Sequence, residues 1–392
     1  MRFLPRASLI PLAALSLLLP AGSGQLSAAQ NSNDKIESKR VHFPTFDEVE
    51  LSGTFYRSMP AGKKDKDAIV LLLHDFNHNK GGGSQEDGWR QLAGELQKEG
   101  YSVLSFDFRG FGNSKSVSPK FWTYVHNKGI RGARSRTPPS SIDQKDFSST
   151  YYINLINDIA AARAYLNVLN DAGDVNSSNI LIVGAGQGAT LGALWMASEC
   201  RRQRDPRSDR YLENMLPQWT ALTRFDEPEG NDVGAAVWLT IYPSLERRPV
   251  GGSLKNALVD TAKNTKIPTC FLYGKKDEQA ASFTKNSMDA ILSENGKKTE
   301  SKTVKEKAVP GTELAGSKLL SGRLKTTDYI IDFLNRAVED RGSRTRKTRE
   351  DQKFAFCWSM PWPTARNVNR IVAKLPGEPL PHPVPLNVLG LR

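Results

Sequence analysis

The sequence predicts an α/β fold: a mostly parallel central sheet with helices on both faces, preceded by an N-terminal signal segment and followed by an irregular C-terminal tail. Three observations lead there. Residues 68–73 (Ala-Ile-Val-Leu-Leu-Leu) form a short, wholly apolar run, as a strand buried on both faces requires. Similar runs recur at 179–183, 235–242 and 268–273. Between them lie stretches of helical periodicity closed by glycine-rich turns, the alternation of a parallel sheet with crossover helices.

The elements follow in order. Residues 30–40 are polar and read as a flexible leader. Residues 41–56 have the alternation and β-branched content of a hairpin. After the strand at 68–73, a loop rich in Gly and Asn leads to a helix at 89–99, ended by Gly100. A strand follows at 101–108. Residues 114–150 are polar, basic and proline-containing, and read as a long inserted loop. The periodicity then predicts a helix over 154–169, a strand at 179–183 and a helix at 190–197. Residues 200–232 form a second, charged insertion. Strands at 235–242 and 268–273, a helix at 285–292, a strand at 301–309 and an amphipathic helix at 326–338 complete a domain spanning 30–340.

Composition limits what the chain can be. Its 392 residues carry 54 Lys and Arg against 42 Asp and Glu, a formal charge of +12. Hydrophobic residues at 39% and charged ones at 24% exclude a polytopic membrane protein, a collagen and a fully disordered chain. The excess positive charge sits mostly at the ends: residues 341–392 hold ten Lys and Arg and three acids. The globular body therefore has no basic groove to argue for, and no nucleic-acid partner is expected. Arg2 and Arg6, an apolar stretch over 9–19 and small residues at 27–29 read as a signal peptide over 1–29, so an exported protein is expected. The tail, 341–392, joins a basic run to Trp358 and Trp362 and then to a segment, 376–385, that is half proline. It reads as extended, with a weak contact to an anionic surface as the sharper alternative. Cys200, Cys270 and Cys357 suit neither a zinc site nor a disulfide framework, and a Cys200–Cys357 bridge stays open.

Three segments carry the chemistry. Leu71-Leu72-Leu73-His74-Asp75-Phe76 is a buried strand opening into a loop. Asp107-Phe108-Arg109-Gly110-Phe111-Gly112-Asn113-Ser114 follows the next strand. Gly184-Ala185-Gly186-Gln187-Gly188 joins a strand to a helix. Together, in this order, they resemble the oxyanion loop, the D-x-R-G-x-G-x-S segment and the nucleophile elbow of the α/β-hydrolase superfamily. The resemblance covers roughly residues 65–340 and implies that fold. It also implies that Asp277, after the strand at 268–273, stands where the acid of the catalytic triad would be, with a simple loop-capping carboxylate as the equal alternative.

The same resemblance exposes two losses. The elbow motif is G-x-S-x-G, and Gly186 occupies the serine position between Gly184 and Gly188. The base should follow Asp277, yet of the five histidines only His382 does, and it lies in the proline-rich tail. Leu314 or Ala315 is expected at the histidine position. With nucleophile and base both absent, forming an acyl-enzyme is unavailable. An oxyanion hole needs only backbone N–H groups, here those of Gln187 and of the loop at Asp75 or Phe76, with His74 packed beside them. The sequence thus leads to a catalytically degenerate protein that binds through the vestigial cleft, with a small ester, a carboxylate or a glycan-like molecule as ligand and no cofactor. Asp107 and Arg109 read as loop-shaping residues.

Other readings compete. A residual or rearranged ester or amide hydrolase could use a water held near Asp277, or recruit Ser84 of Gly81-Gly82-Gly83-Ser84 or another loop hydroxyl as nucleophile. Gly184-x-Gly186-x-x-Ala189 fits a dinucleotide-binding turn, although no acid follows at the required distance on a next strand. His74 and His78 are spaced like metal ligands on a helix, but they lie in a loop, so a packing role is preferred and no metal site is expected.

Overall fold

The computed structural model describes residues 36–60, 62, 64–205, 232–294, 297–298, 303–347, 355–358, 383–384 and 386–391. The signal segment, most of the second insertion and most of the tail lie outside these residues. Eight strands form the main sheet: β1 (Lys39–Pro44), β2 (Glu50–Tyr56), β3 (Ile69–Leu73), β4 (Ser102–Phe106), β5 (Ile180–Ala185), β7 (Val233–Ile241), β10 (Thr269–Gly274) and β13 (Val304–Val309). Their spatial order is β1-β2-β4-β3-β5-β7-β10-β13. The first hairpin is antiparallel and β2 meets β4 antiparallel; every other pairing in the sheet is parallel.

The apolar runs serve both faces. Ile69, Leu71 and Leu73 of β3 enter one core while Val70 and Leu72 enter the other, and β5 divides in the same way. Alternation of side chains along a strand is what makes a doubly covered strand apolar throughout. One face is covered by α2 (Ile156–Asp171), α3 (Gly186–Arg201), α4 (Gly251–Leu258) and α5 (Glu278–Leu292), the other by α1 (Trp89–Lys98) and α6 (Thr326–Arg341). Short ladders complete the elements: β6 (Arg202–Asp205) with β14 (Ala355–Trp358), β8 (Ser244–Leu245) with β9 (Arg248–Pro249), and β11 (Ser293–Glu294) with β12 (Lys297–Lys298).

Several expectations are corrected. Of the 30–40 leader, residues 30–35 lie outside the described residues, Ile36 packs against α1 beside Gly94, and β1 already begins at Lys39. The 114–150 insertion is a packed subassembly of 3-10 turns, with Phe121, Trp122, Ile130, Ile142 and Phe147 buried against the core. Its polar residues mask this in the sequence because its apolar ones follow no helix or strand period. Helix α3 starts at Gly186, four residues before the expected 190, and α5 starts at Glu278, seven before the expected 285. In α5 the Asp277 carboxylate accepts from the Ala280 N–H at 3.0 Å, a cap that lets a polar first turn be helical. Helix α4 was not expected, since its Gly-Gly-Ser start has low helix propensity. The chain end is not wholly irregular: Val384, Leu389 and Leu391 are buried, and the Val384 N–H donates to Asn157 Oδ1 at 2.7 Å.

Candidate active-site cleft

The site lies at the carboxyl ends of β3, β5, β7 and β10. Gly186 follows β5 directly and has φ +51°, a left-handed conformation that glycine adopts at little cost. The flanking glycines are required for another reason. A Cβ at Gly188 would lie 2.3 Å from the His74 carbonyl oxygen, and one at Gly184 would lie 2.9 Å from Ala189 Cα. Helix α3 can sit this close to the strand ends only without those side chains.

His74 braces the loop after β3. Its Nδ1 lies 2.7 Å from the Asp75 carbonyl and its Nε2 lies 3.1 Å from the Phe108 nitrogen. A carbonyl only accepts and an amide only donates, so Nδ1 carries the proton and Nε2 accepts. Burial depresses the imidazole pKa, with Asp107 and the Asp75 carbonyl opposing. Both ring nitrogens are thus engaged by the backbone. Among the described residues no group of histidine, cysteine and carboxylate side chains is arranged to hold a metal ion.

The N–H groups of Phe76 and Gln187, expected as oxyanion donors, both point to one side chain of the protein. Asp75 Oδ1 accepts from the Phe76 N–H at 2.8 Å and from the Gln187 N–H at 3.0 Å. The hole expected to receive a ligand carbonyl therefore holds the Asp75 carboxylate. Burial raises this carboxyl's pKa, the two N–H donors work against the rise, and Asp87 and Glu246 add to it. A Cβ built at Gly186 would come within 2.0 Å of Asp75 Oδ1. One at Gly316, where φ is +58°, would come within 2.1 Å of Oδ2.

Side chains at 186 and 316 would converge on the Asp75 carboxylate, so Gly316 faces the elbow across it. Leu314 instead turns its carbonyl toward Gly274, 2.6 Å from a Cβ built there.

Asp277 stands at the end of β10, where the triad acid was expected. Besides capping α5, it accepts from the Tyr242 hydroxyl at 3.0 Å. Burial raises the Tyr242 pKa, and the Asp277 charge and hydrogen bond raise it further. Tyr242 follows β7, whose penultimate residue, Thr240, has φ +55°. That conformation is strained for a β-branched residue. Over the elbow lies the β8–β9 hairpin, whose turn residues Glu246 and Arg247 have φ +39° and +58°. The Glu246 N–H donates to Gln187 Oε1 at 3.2 Å, and Glu246 Oε1 accepts from the His78 N–H at 2.8 Å.

Tyr242, Glu246 and Gly316 were not anticipated. Tyr242 alone had a signal, as a polar residue at the end of an apolar strand. Ser84 is brought to a different place: it is 4% exposed and its N–H donates to Asp107 Oδ1 at 2.9 Å. Asp107 Oδ2 in turn accepts from the Asn113 N–H at 2.9 Å, so Asp107 shapes the loop as expected.

No family model matches the chain, and no curated protein matches it by sequence. Solved structures similar to it include an esterase from Pyrococcus furiosus, with 16% identity and TM-score 0.44, covering 77% of this chain and 93% of the esterase. A serine hydrolase without a lid from Xanthomonas campestris has 12% identity and TM-score 0.42, covering 79% and 98%. A dienelactone hydrolase from Anabaena variabilis has 14% identity and TM-score 0.43, covering 78% and 97%. Strands β4, β3, β5, β7, β10 and β13 of the main sheet run parallel, a glycine elbow joins β5 to α3, an N–H-lined loop follows β3 and a carboxylate ends β10: the chain has the α/β-hydrolase fold.

Proposed function

We propose that this α/β-hydrolase-fold protein has no serine-hydrolase chemistry and acts as a binding or structural protein through its vestigial cleft. The observation that carries the reading is the Asp75 carboxylate seated on the Phe76 and Gln187 N–H groups, against a glycine at the nucleophile position. An acyl carbonyl would find these two donors already taken, and position 186 offers no hydroxyl to attack it. A free carboxylate would meet Asp75, with Asp87 and Glu246 nearby. A hydroxyl-rich, glycan-like ligand, which can donate to these acceptors, suits the cleft better than an ester or an acid. The burial of Ser84 weighs against the rearranged hydrolase. The commitment of the Gln187 N–H weighs against a pyrophosphate at the start of α3.

The deciding experiment is turnover of a short-chain p-nitrophenyl ester by the purified protein, beside Asp277→Ala and a boiled control. Turnover equal to the boiled control is expected. Turnover abolished by both boiling and the substitution overturns the reading, and stoichiometric labelling by a serine-directed phosphonate would do the same. The proposal extends to export, for which the N-terminal residue of the protein recovered outside the cytoplasm is the check. It extends as well to weak contact of the basic tail with anionic surfaces: equal retention of the full chain and a 341–392 deletion on anionic vesicles at low salt removes that part.

A further inference from the structure

We infer that Asp75 is a tethered ligand that plugs a still-competent oxyanion hole, and that its removal uncovers a binding site for small carboxylates. Oδ1 sits 2.8 and 3.0 Å from two backbone nitrogens, which is the geometry that a ligand oxyanion would adopt. Being covalently attached, the side chain acts at an effective concentration that no free small carboxylate reaches, so the intact protein leaves the hole closed. The donors themselves do not depend on it. His74 holds the Asp75 carbonyl and the Phe108 N–H, so the loop backbone stays braced when the carboxylate is cut away. The plug also accounts for the paired loss of nucleophile and base. Its two oxygens lie within 2.0 and 2.1 Å of where Cβ atoms at 186 and 316 would be, so a side chain at either position is incompatible with Asp75 as it stands. Asp75, Gly186 and Gly316 form one coupled set, and changing one alters the cost of the others.

This goes beyond the reading above and fails separately: that reading falls if the wild-type protein turns over ester, whereas this one is decided on substituted chains with butyrate as probe. Titration of carbon-13-labelled butyrate followed by NMR is made on the full chain, Asp75→Ala and Asp75→Asn. Saturable binding, at least about tenfold tighter than to wild type, is expected for Asp75→Ala alone, because an asparagine amide oxygen keeps the hole filled. Gly186→Ser is expected to lower the folding constant at least about tenfold more in wild type than in Asp75→Ala. A cooperatively melting Asp75→Ala that binds butyrate no better than wild type overturns the inference. Equal cost of Gly186→Ser in both backgrounds also overturns it. Loss of folding in Asp75→Ala and also in Asp75→Ser does the same, since the loop would then depend on the carboxylate and not on the His74 brace.

Discussion

His74 and Asp277 are single side chains that brace this cleft through their hydrogen bonds. His74 is buried with both nitrogens engaged, and its neutral form is the one that fits. Burial lowers its pKa in the folded state below the ordinary histidine value, so the unfolded chain binds the extra proton first. Its contribution to stability is therefore complete above about pH 6.5 and is lost as the pH falls from there through the depressed value. Asp75, raised in the folded state, acts in the opposite sense, so the comparison must isolate the imidazole. The difference in melting temperature between wild type and His74→Gln should shrink from pH 7.5 to 5, measured by scanning fluorimetry; a constant difference would refute this. Asp277→Ala removes the cap of α5 and the Tyr242 acceptor together. It should cost about 1–2 kcal/mol in urea unfolding while leaving ester turnover at background.

At the scale of elements, the inserted segment is anchored through one buried cation. Arg109, 0% exposed, donates from Nε to Asp158 at 2.7 Å and from its terminal nitrogens to Asp47 at 2.7 and 3.0 Å. Tyr151 accepts from Arg109 at 3.1 Å, and His126 and Asn127 of the insertion reach Asp47 at 2.8 and 3.0 Å. The β1–β2 turn, the exit of β4, the insertion and α2 thus meet at a single guanidinium. Burial would raise the Asp47 carboxyl, but Arg109 and the His126 and Asn127 donors hold it well below the usual carboxylate range. Asp158, more deeply placed, is pushed up to about 6 by burial even beside Arg109. Replacing Arg109 by Met leaves two buried carboxylates uncompensated, so a loss of about 3–5 kcal/mol is expected. Limited proteolysis should then cut within 114–150, and an unchanged digestion pattern would show that the insertion is held otherwise.

Across the whole molecule, the chain end is part of the fold. Val384, Leu389 and Leu391 pack on the core cluster that contains α2, α3 and α4. Each buried aliphatic side chain stabilises by about 1.5–3 kcal/mol, against an ordering cost of about 1–2 kcal/mol per residue of backbone. These terms oppose each other over the segment, so deleting residues 383–392 should lower Tm by only a few degrees. Differential scanning calorimetry checks this, and no change at all would mean the segment only rests on the surface. No helix among the described residues is long and apolar enough to cross a membrane.

The alternating apolar runs, the three motifs and their order were sufficient, by themselves, for the layered α/β architecture, the glycine turn at Gly184–Gly188 and the position of Asp277 just after β10. Each of these rests on local periodicity or on glycines forced by close approach, and such signals lie within a few neighbouring residues. The glycine at 186 and the absence of a histidine between Asp277 and the proline-rich tail were legible for the same reason. What faces Gly186 in the cleft was not. Asp75 meets Gln187 and Gly186 across 112 and 111 positions and Gly316 across 241, and no period links them. Tyr242 on Asp277, Glu246 on Gln187 and Arg109 between Asp47 and Asp158 are likewise contacts between different strand ends and loops. Only folding the sheet brings those ends together, because hydrogen bonds and steric exclusion act over a few ångströms in space whatever the separation along the chain.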